Sequence, residues 1–162
     1  MISTTSKVAI STLEFSSSAP FYVIMEVYFL RGMNMKETVY FGTYTRRISQ
    51  GIYKADFDTE TGELANLELF AAEPSPTYLA FDQDQHVYTV GSHDGKGGIA
   101  AYKTDGSLLN HVVEEGAPHC YVAVDEKRSL VYGANYHKGQ VLVYKRKEDG
   151  SLELANIDQH TG

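Results

Sequence analysis

Hydrophobic and polar positions alternate in short runs through most of this chain, and small turn-forming residues separate the runs. Thr77-Tyr78-Leu79-Ala80-Phe81 shows the period of two expected of a strand, and Asp82-Gln83-Asp84-Gln85 then turns the backbone. His86 to Val90 reads as a second strand. Gly91-Ser92-His93-Asp94-Gly95-Lys96-Gly97-Gly98 reads as a glycine-rich hairpin connection, because glycine supplies the positive φ that tight turns need. Ile99 to Lys103 and Leu108 to Val113 complete the set, joined by the turn at Asp105-Gly106. A matching set follows: Cys120 to Val124, Leu130 to Ala134, Gln140 to Lys145 and Leu152 to Ile157. Ahead of Pro74 stand three runs, Thr38 to Thr43, Gly51 to Phe57 and Leu64 to Ala71.

These sets recur at a fixed interval. Gly62-Glu63-Leu64, Gly106-Ser107-Leu108 and Gly150-Ser151-Leu152 stand 44 residues apart, and Val39-Tyr40, Val87-Tyr88 and Val131-Tyr132 keep similar time. Tyr78 to Asp82 also matches Tyr121 to Asp125, with Pro76 and Pro118 just upstream. A repeat of about 40 to 50 residues holding four short strands is the signature of propeller blades. The expected fold is all-β: a β-propeller, present here as about two and three-quarter four-stranded antiparallel blades over residues 35–162. Glu63 to Glu73 alone resembles a helix, being rich in Leu, Ala and Glu. Its aligned counterparts carry β-branched residues and turn signals, so it is assigned as an outer strand. The first blade lacks an innermost strand, which propellers commonly supply from the far carboxyl end. With rings of about 4 to 8 blades, the expectation is an unclosed ring. Its open sheet edges then favour self-association.

Residues 1–34 share no landmark with the repeat and are expected to be disordered or loosely packed. Their apolar run, Ala19 to Leu30, includes Glu26 and falls short of the roughly 20 apolar residues of a membrane span. Lys7 is the only early positive charge before it and no Ala-x-Ala site follows, which argues against a signal peptide. Met35, directly before the first blade strand, is favoured over Met1 as the natural start.

Composition narrows the function classes. A hydrophobic fraction of 43% with 22% charged residues belongs to a folded domain, and a net charge of −7 argues against nucleic acid. The single cysteine, Cys120, cannot form an internal disulfide and fits a reducing cytoplasm. It reads as a buried small hydrophobe.

Strand direction sorts the loops onto two faces. One face gathers residues 43–50, 74–76, 92–97, 114–119 and 136–138, and with them Tyr44, Arg46, Arg47, His93, His119, Asn135, Tyr136 and His137. The other holds Asp82 to Asp84, Asp125 to Arg128 and the Asp-Gly turns, which read as turn residues serving the backbone. No cofactor or metal is expected: the His-x-Asp spacings lack the three or four supported ligands that zinc needs. No Gly-x-Ser-x-Gly nucleophile turn occurs either.

The run Val39 to Thr45, then Gly51-Ile52-Tyr53, Phe57-Asp58 and Thr61-Gly62, resembles the amino-terminal end of the seven-bladed propeller lactonases, the 6-phosphogluconolactonases of the cycloisomerase-2 type. The likeness continues through Pro76, Tyr78 to Phe81, Pro118 to Asp125 and the block Ala134-Asn135-Tyr136-His137 with Gly139, its most specific part. Where relatives usually show an Asn-Glu pair, this chain has Gly91-Ser92-His93-Asp94. His160-Thr161-Gly162 resembles the lead into a Pro-His-x-His region of the family. The resemblance implies hydrolysis of a sugar lactone by an activated water. His137 is then the candidate for water activation, with Asn135 and Tyr136 as orienting or oxyanion-side donors. Tyr44, Arg46, Arg47, His93 and His119 are candidate substrate contacts, the arginines for a phosphate. The 162-residue chain is expected to be inactive by itself. Two alternatives stay open: a non-catalytic propeller that binds a ligand or protein through the same face, and a relative of the fungal muconate cyclases.

Overall fold

The computed structural model describes residues 36–160, so the expectations for residues 1–34 lie outside the described residues. Eleven strands form three antiparallel sheets. Strands β1 (Lys36–Phe41), β2 (Gly51–Asp58) and β3 (Leu64–Ala72) make the first. Strands β4 (Leu79–Phe81), β5 (Val87–His93), β6 (Lys96–Tyr102) and β7 (Leu108–Glu114) make the second. Strands β8 (Tyr121–Asp125), β9 (Leu130–Asn135), β10 (Gln140–Arg146) and β11 (Leu152–Gln159) make the third, with one 3-10 turn at Glu126–Arg128. Each sheet is a meander in chain order. Leu64–Ala72 is a strand, as the repeat required and its helix propensity did not.

The sheets stack face to face, and alternation decides which side chain meets which neighbour. In the second sheet, Val87, Ala100 and Tyr102 pack toward Tyr40, Ile52, Phe70 and Ala71 of the first. Tyr88, Ile99 and Ala101 point the other way, onto Val122, Val131, Leu142 and Tyr144 of the third. Strands β5 and β6 are therefore buried on both sides and read as nearly unbroken apolar runs, whereas β3 and β11 are largely exposed. A buried aliphatic side chain in such a seam contributes about 1.5–3 kcal/mol.

The 44-residue glycine period has a packing cause as well as a conformational one. Gly62, Gly106 and Gly150 all adopt φ between 76° and 85°. The last two also tuck against the preceding blade: a Cβ on Gly106 would lie 2.1 Å from the Phe70 carbonyl oxygen, and one on Gly150 would lie 2.7 Å from the His86 ring. Each of the three outer strands carries an irregularity in its pairing, between Lys54 and Asp56, at Ala101/Tyr102 and at Val143/Tyr144. In β3 the bulge includes Asn66 at φ 54°, whose side-chain amide donates to Asp56 at 2.7 Å.

Three sequence expectations are corrected in detail. The long glycine connection of the second blade shrinks to Asp94-Gly95, a two-residue turn with both φ positive, and Gly91, Gly97 and Gly98 lie inside strands. The inner strands begin at Leu79 and Tyr121, later than Thr77 and Cys120. Cys120, only half-buried, still donates its backbone N–H to Ala134 at 2.8 Å.

Candidate active site

The β1–β2, β5–β6 and β9–β10 connections and the two blade-to-blade crossovers emerge at the same end of the sheets. In the first blade, Tyr44, Arg46 and Arg47 are exposed on the β1–β2 loop, and the Arg46 guanidinium lies 5.4 Å from the Tyr44 ring centre. Buried Thr43 fixes the base of this loop through bonds to the Gly51 carbonyl at 2.6 Å and to the Ser49 hydroxyl. Ser75 of the crossover clasps it further along by donating its N–H to the Thr45 hydroxyl at 3.1 Å.

The third blade presents the block singled out in the sequence. Asn135 is fully buried: its amide donates to the Ala117 carbonyl at 3.0 Å, and its side-chain oxygen accepts from the Lys138 N–H at 3.3 Å. It thus ties the turn Tyr136–Gly139 to the neighbouring crossover. Tyr136 is 72% exposed and His137 is exposed beside it, their rings 3.9 Å apart. Lys138 turns aside to pair with Glu114 at 3.1 Å, its side chain passing over Gly116. Among the described residues no hydrogen bond reaches the His137 ring.

His93 and His119 differ from one another. His93 is exposed, pairs with Asp94 at 3.5 Å and stacks on His111 at 4.7 Å. His119 is only 3% exposed; its Nε2 stands 2.6 Å from the Tyr144 hydroxyl, and its ring lies over Gly133, where a Cβ would come within 2.4 Å. Burial, which strips water from the charged ring, pulls its pKa down to about 4 and outweighs the opposing pull of Glu114. The histidine is therefore neutral at physiological pH. The structure brings the Asn135–Lys138 turn together with the 114–119 crossover, and it leaves Tyr44, Arg46 and Arg47 on a separate loop two blades away.

Sequence reading missed two buried carboxylates. Glu73, 2% exposed, accepts from Tyr102 at 2.5 Å, from the Ser92 N–H at 2.9 Å and lies 2.8 Å from His111 Nε2. Its space exists because position 91 is glycine: a Cβ there would lie 2.2 Å from the carboxylate. On the opposite face, Asp82 accepts from Arg146 at 2.6 Å and from Tyr88 at 3.0 Å, with His86 Nδ1 at 2.9 Å. Burial raises the Asp82 pKa, but these bonds outweigh it and hold the carboxyl below its ordinary value. Asp82, Asp84 and His86 bring possible metal-ligand atoms within 4.8 Å of one another at a cleft of about 140 Å³. A cation there would have to displace the Arg146 guanidinium from Asp82, which disfavours it.

Comparison with known proteins supplies the family. Residues 38–162 match the family described as "Lactonase, 7-bladed beta-propeller". The chain belongs to the seven-bladed β-propeller lactonases. It is 49% identical over 131 residues to the protein YwcC of Lactococcus lactis, covering 79% of this chain and 38% of that one. It is 42% identical over 130 residues to a 6-phosphogluconolactonase of Bacillus subtilis, covering 76% and 37%. A crystal structure of a Lactobacillus plantarum protein superimposes with a TM-score of 0.76 at 48% identity, over 79% of this chain and 38% of that one. The chain thus spans well under half the length of these relatives. Among the described residues no helix is long and apolar enough to cross a membrane.

Proposed function

We propose that this chain supplies the amino-terminal blades of a hydrolase that opens 6-phosphogluconolactone to 6-phosphogluconate. The observation that carries the reading is the Asn135–Gly139 turn. A fully buried asparagine fixes a turn whose only large exposed side chains are an aromatic hydroxyl and an imidazole. His137 takes a proton from water as its oxygen attacks the lactone carbonyl. Tyr136 donates toward the oxyanion as it forms. When the tetrahedral species collapses, the ring C–O bond breaks, the ring oxygen takes a proton back, and the open acid ionises to the carboxylate. Asn135, sealed from solvent, acts by positioning the turn. Arg46 and Arg47, on the first-blade loop, would meet the phosphate.

Two supports come from the comparisons: the Bacillus subtilis protein bears the name of that activity, and the family match over residues 38–162 includes this turn. The proposed partners are the sugar lactone and, through the exposed Leu154 and Ile157 of β11, other copies of the chain. The deciding experiment joins residues 36–160 of this chain to the remaining blades of the Bacillus subtilis enzyme and follows lactone opening in a coupled dehydrogenase assay. Turnover that disappears with His137→Ala supports the proposal. A folded chimera no faster than spontaneous hydrolysis removes it and favours a binding role for the face.

A further inference from the structure

Three buried side-chain atoms among the described residues have no hydrogen-bond partner: Glu114 Oε1, His119 Nδ1 and Gln140 Oε1. All three belong to one seam. Glu114 shares its strand face with Val112, which packs between the second and third blades. Gln140 shares its face with Leu142, a core residue of the same cluster, and His119 lies over Gly133, the pairing partner of Leu142. The carboxyl end of β7, the lead into β8 and the amino end of β10 all lie at the end of the sheets that carries the His137 turn. Glu114 Oε1 is 3.1 Å from Lys138 Nζ, so its charge is matched, but at angles that do not make a hydrogen bond.

Hydrogen counting fixes the chemistry. Burial raises the pKa of Tyr144, so its hydroxyl keeps its proton. Among the described residues the hydroxyl has one hydrogen-bond partner, His119 Nε2 at 2.6 Å. Donating to Nε2 places the single proton of the neutral imidazole on Nδ1. The seam then presents one donor, His119 Nδ1–H, and two acceptors, Glu114 Oε1 and Gln140 Oε1. A buried polar group left without a partner costs about 1–3 kcal/mol, and native interiors resolve such groups with a bound species that makes about three hydrogen bonds. A metal ion does not fit, because Nδ1–H cannot ligate one and Lys138 already offsets Glu114.

We propose that this seam is a binding site for one hydroxyl-bearing oxygen, which accepts from His119 Nδ1–H and donates to Glu114 and Gln140. Water satisfies all three groups, and a polyol hydroxyl satisfies two of them. The site rests on no assumption about turnover, so its test is separate from that of the lactonase reading.

Nitrogen NMR of the 162-residue chain, labelled at histidine, reads the tautomer, and a crystal structure resolving ordered oxygen atoms reads the occupant. The expected result is a protonated Nδ1 with an oxygen at hydrogen-bond distance from it and from Glu114 or Gln140. Titration with D-gluconate distinguishes the two sources. An unmoved His119 resonance identifies water, and a saturable shift identifies the polyol. Gln140→Leu, which deletes one acceptor and leaves the histidine in place, is expected to speed solvent exchange of the Nδ1 proton by about tenfold. An unprotonated Nδ1, or an Nδ1–H bonded directly to Glu114 or Gln140 with no oxygen between them, overturns the proposal.

Discussion

The Tyr102 hydroxyl stands 2.5 Å from Glu73, a carboxylate that the first crossover inserts between two blades. One sheet later, Tyr144 holds the corresponding place: Val87 pairs with Tyr102 and Val131 with Tyr144. Its hydroxyl meets His119 from the next crossover at 2.6 Å. The fold thus reuses one device, a third-strand tyrosine locking a titratable side chain delivered by the connection from the blade before.

The first prediction tests that lock. Glu73→Ala strips the Ser92 N–H and His111 of this partner in the blade seam and leaves the Tyr102 hydroxyl only its longer bond to the Ala72 carbonyl at 3.2 Å, and is expected to cost on the order of 3 kcal/mol. Tyr102→Phe removes one donor and is expected to cost about 1–2 kcal/mol. Urea midpoints measure both, with exposed Glu68→Ala as the control. A Glu73→Ala midpoint equal to that of the control would refute the lock.

Much of the architecture was legible in the sequence because its causes are local. Strand alternation, Asp-Gly turns and the recurring glycines follow from backbone geometry, and they fixed the strand order and the face that carries His137. The two carboxylate hubs were not legible. Asp82 stands in an ordinary turn sequence, and Glu73 follows the last residue of β3 just ahead of Pro74. Nothing local distinguishes a solvated carboxylate there from one that Arg146 or Tyr102 meets across a seam. Asn135 reads from the sequence as an orienting or oxyanion-side donor, and only the fold shows that its amide is spent on the Ala117 carbonyl across the seam. Gly91 was the available clue, since a strand-interior glycine signals close approach by another group.

The second prediction concerns pH. The unfolded chain binds a proton at His119 near the ordinary histidine pKa of about 6.5, whereas the folded chain does so only near about 4. Between those values the unfolded state holds the extra proton, so stability falls as pH drops from about 6.5 to about 4 and this contribution levels off below. The loss is on the order of 3 kcal/mol. Asp82, whose pKa is depressed, adds its own loss at lower pH, as the medium falls through the carboxylate range. Unfolding free energies of the chain and of His119→Gln, measured across this window, should diverge. Parallel curves would show that His119 does not stay neutral in the fold.

A third prediction separates glycines that look alike in the sequence. Gly95 sits in the turn at φ 77° with nothing near its missing Cβ, so Gly95→Ala costs only the left-handed backbone, about 1 kcal/mol. A Cβ on Gly98 would lie 2.1 Å from the Val112 carbonyl oxygen, and one on Gly97 would lie 2.2 Å from the Pro118 nitrogen. Those contacts are with backbone, which cannot swing aside. Gly97→Ala and Gly98→Ala are expected to destabilise by at least about 3 kcal/mol, seen as melting temperatures well below that of Gly95→Ala. Equal losses at all three would mean that the strands part easily at this point.

The last prediction concerns activity. His137 is exposed on a turn that the third blade fixes well, and among the described residues it meets Tyr136 but no hydrogen-bonding side chain that would orient its imidazole. Arg46 and Arg47 stand on the first blade, so a phosphate held there and a carbonyl presented to His137 must be aligned across the second. Active geometry tolerates only about 0.5 Å of error. Residues 36–160 provide three sheets of a fold that has seven blades in this family. The purified 162-residue chain is therefore expected to open 6-phosphogluconolactone no faster than buffer, while the chimera with the remaining Bacillus subtilis blades is active. Within the chimera, His137→Ala is expected to lower kcat by about 10²- to 10⁴-fold, and Arg46→Ala to raise KM with kcat nearly unchanged. Turnover by the isolated chain near that of the chimera would show that these three sheets hold a complete site. An unaltered kcat in His137→Ala would move the water-activating base to another residue.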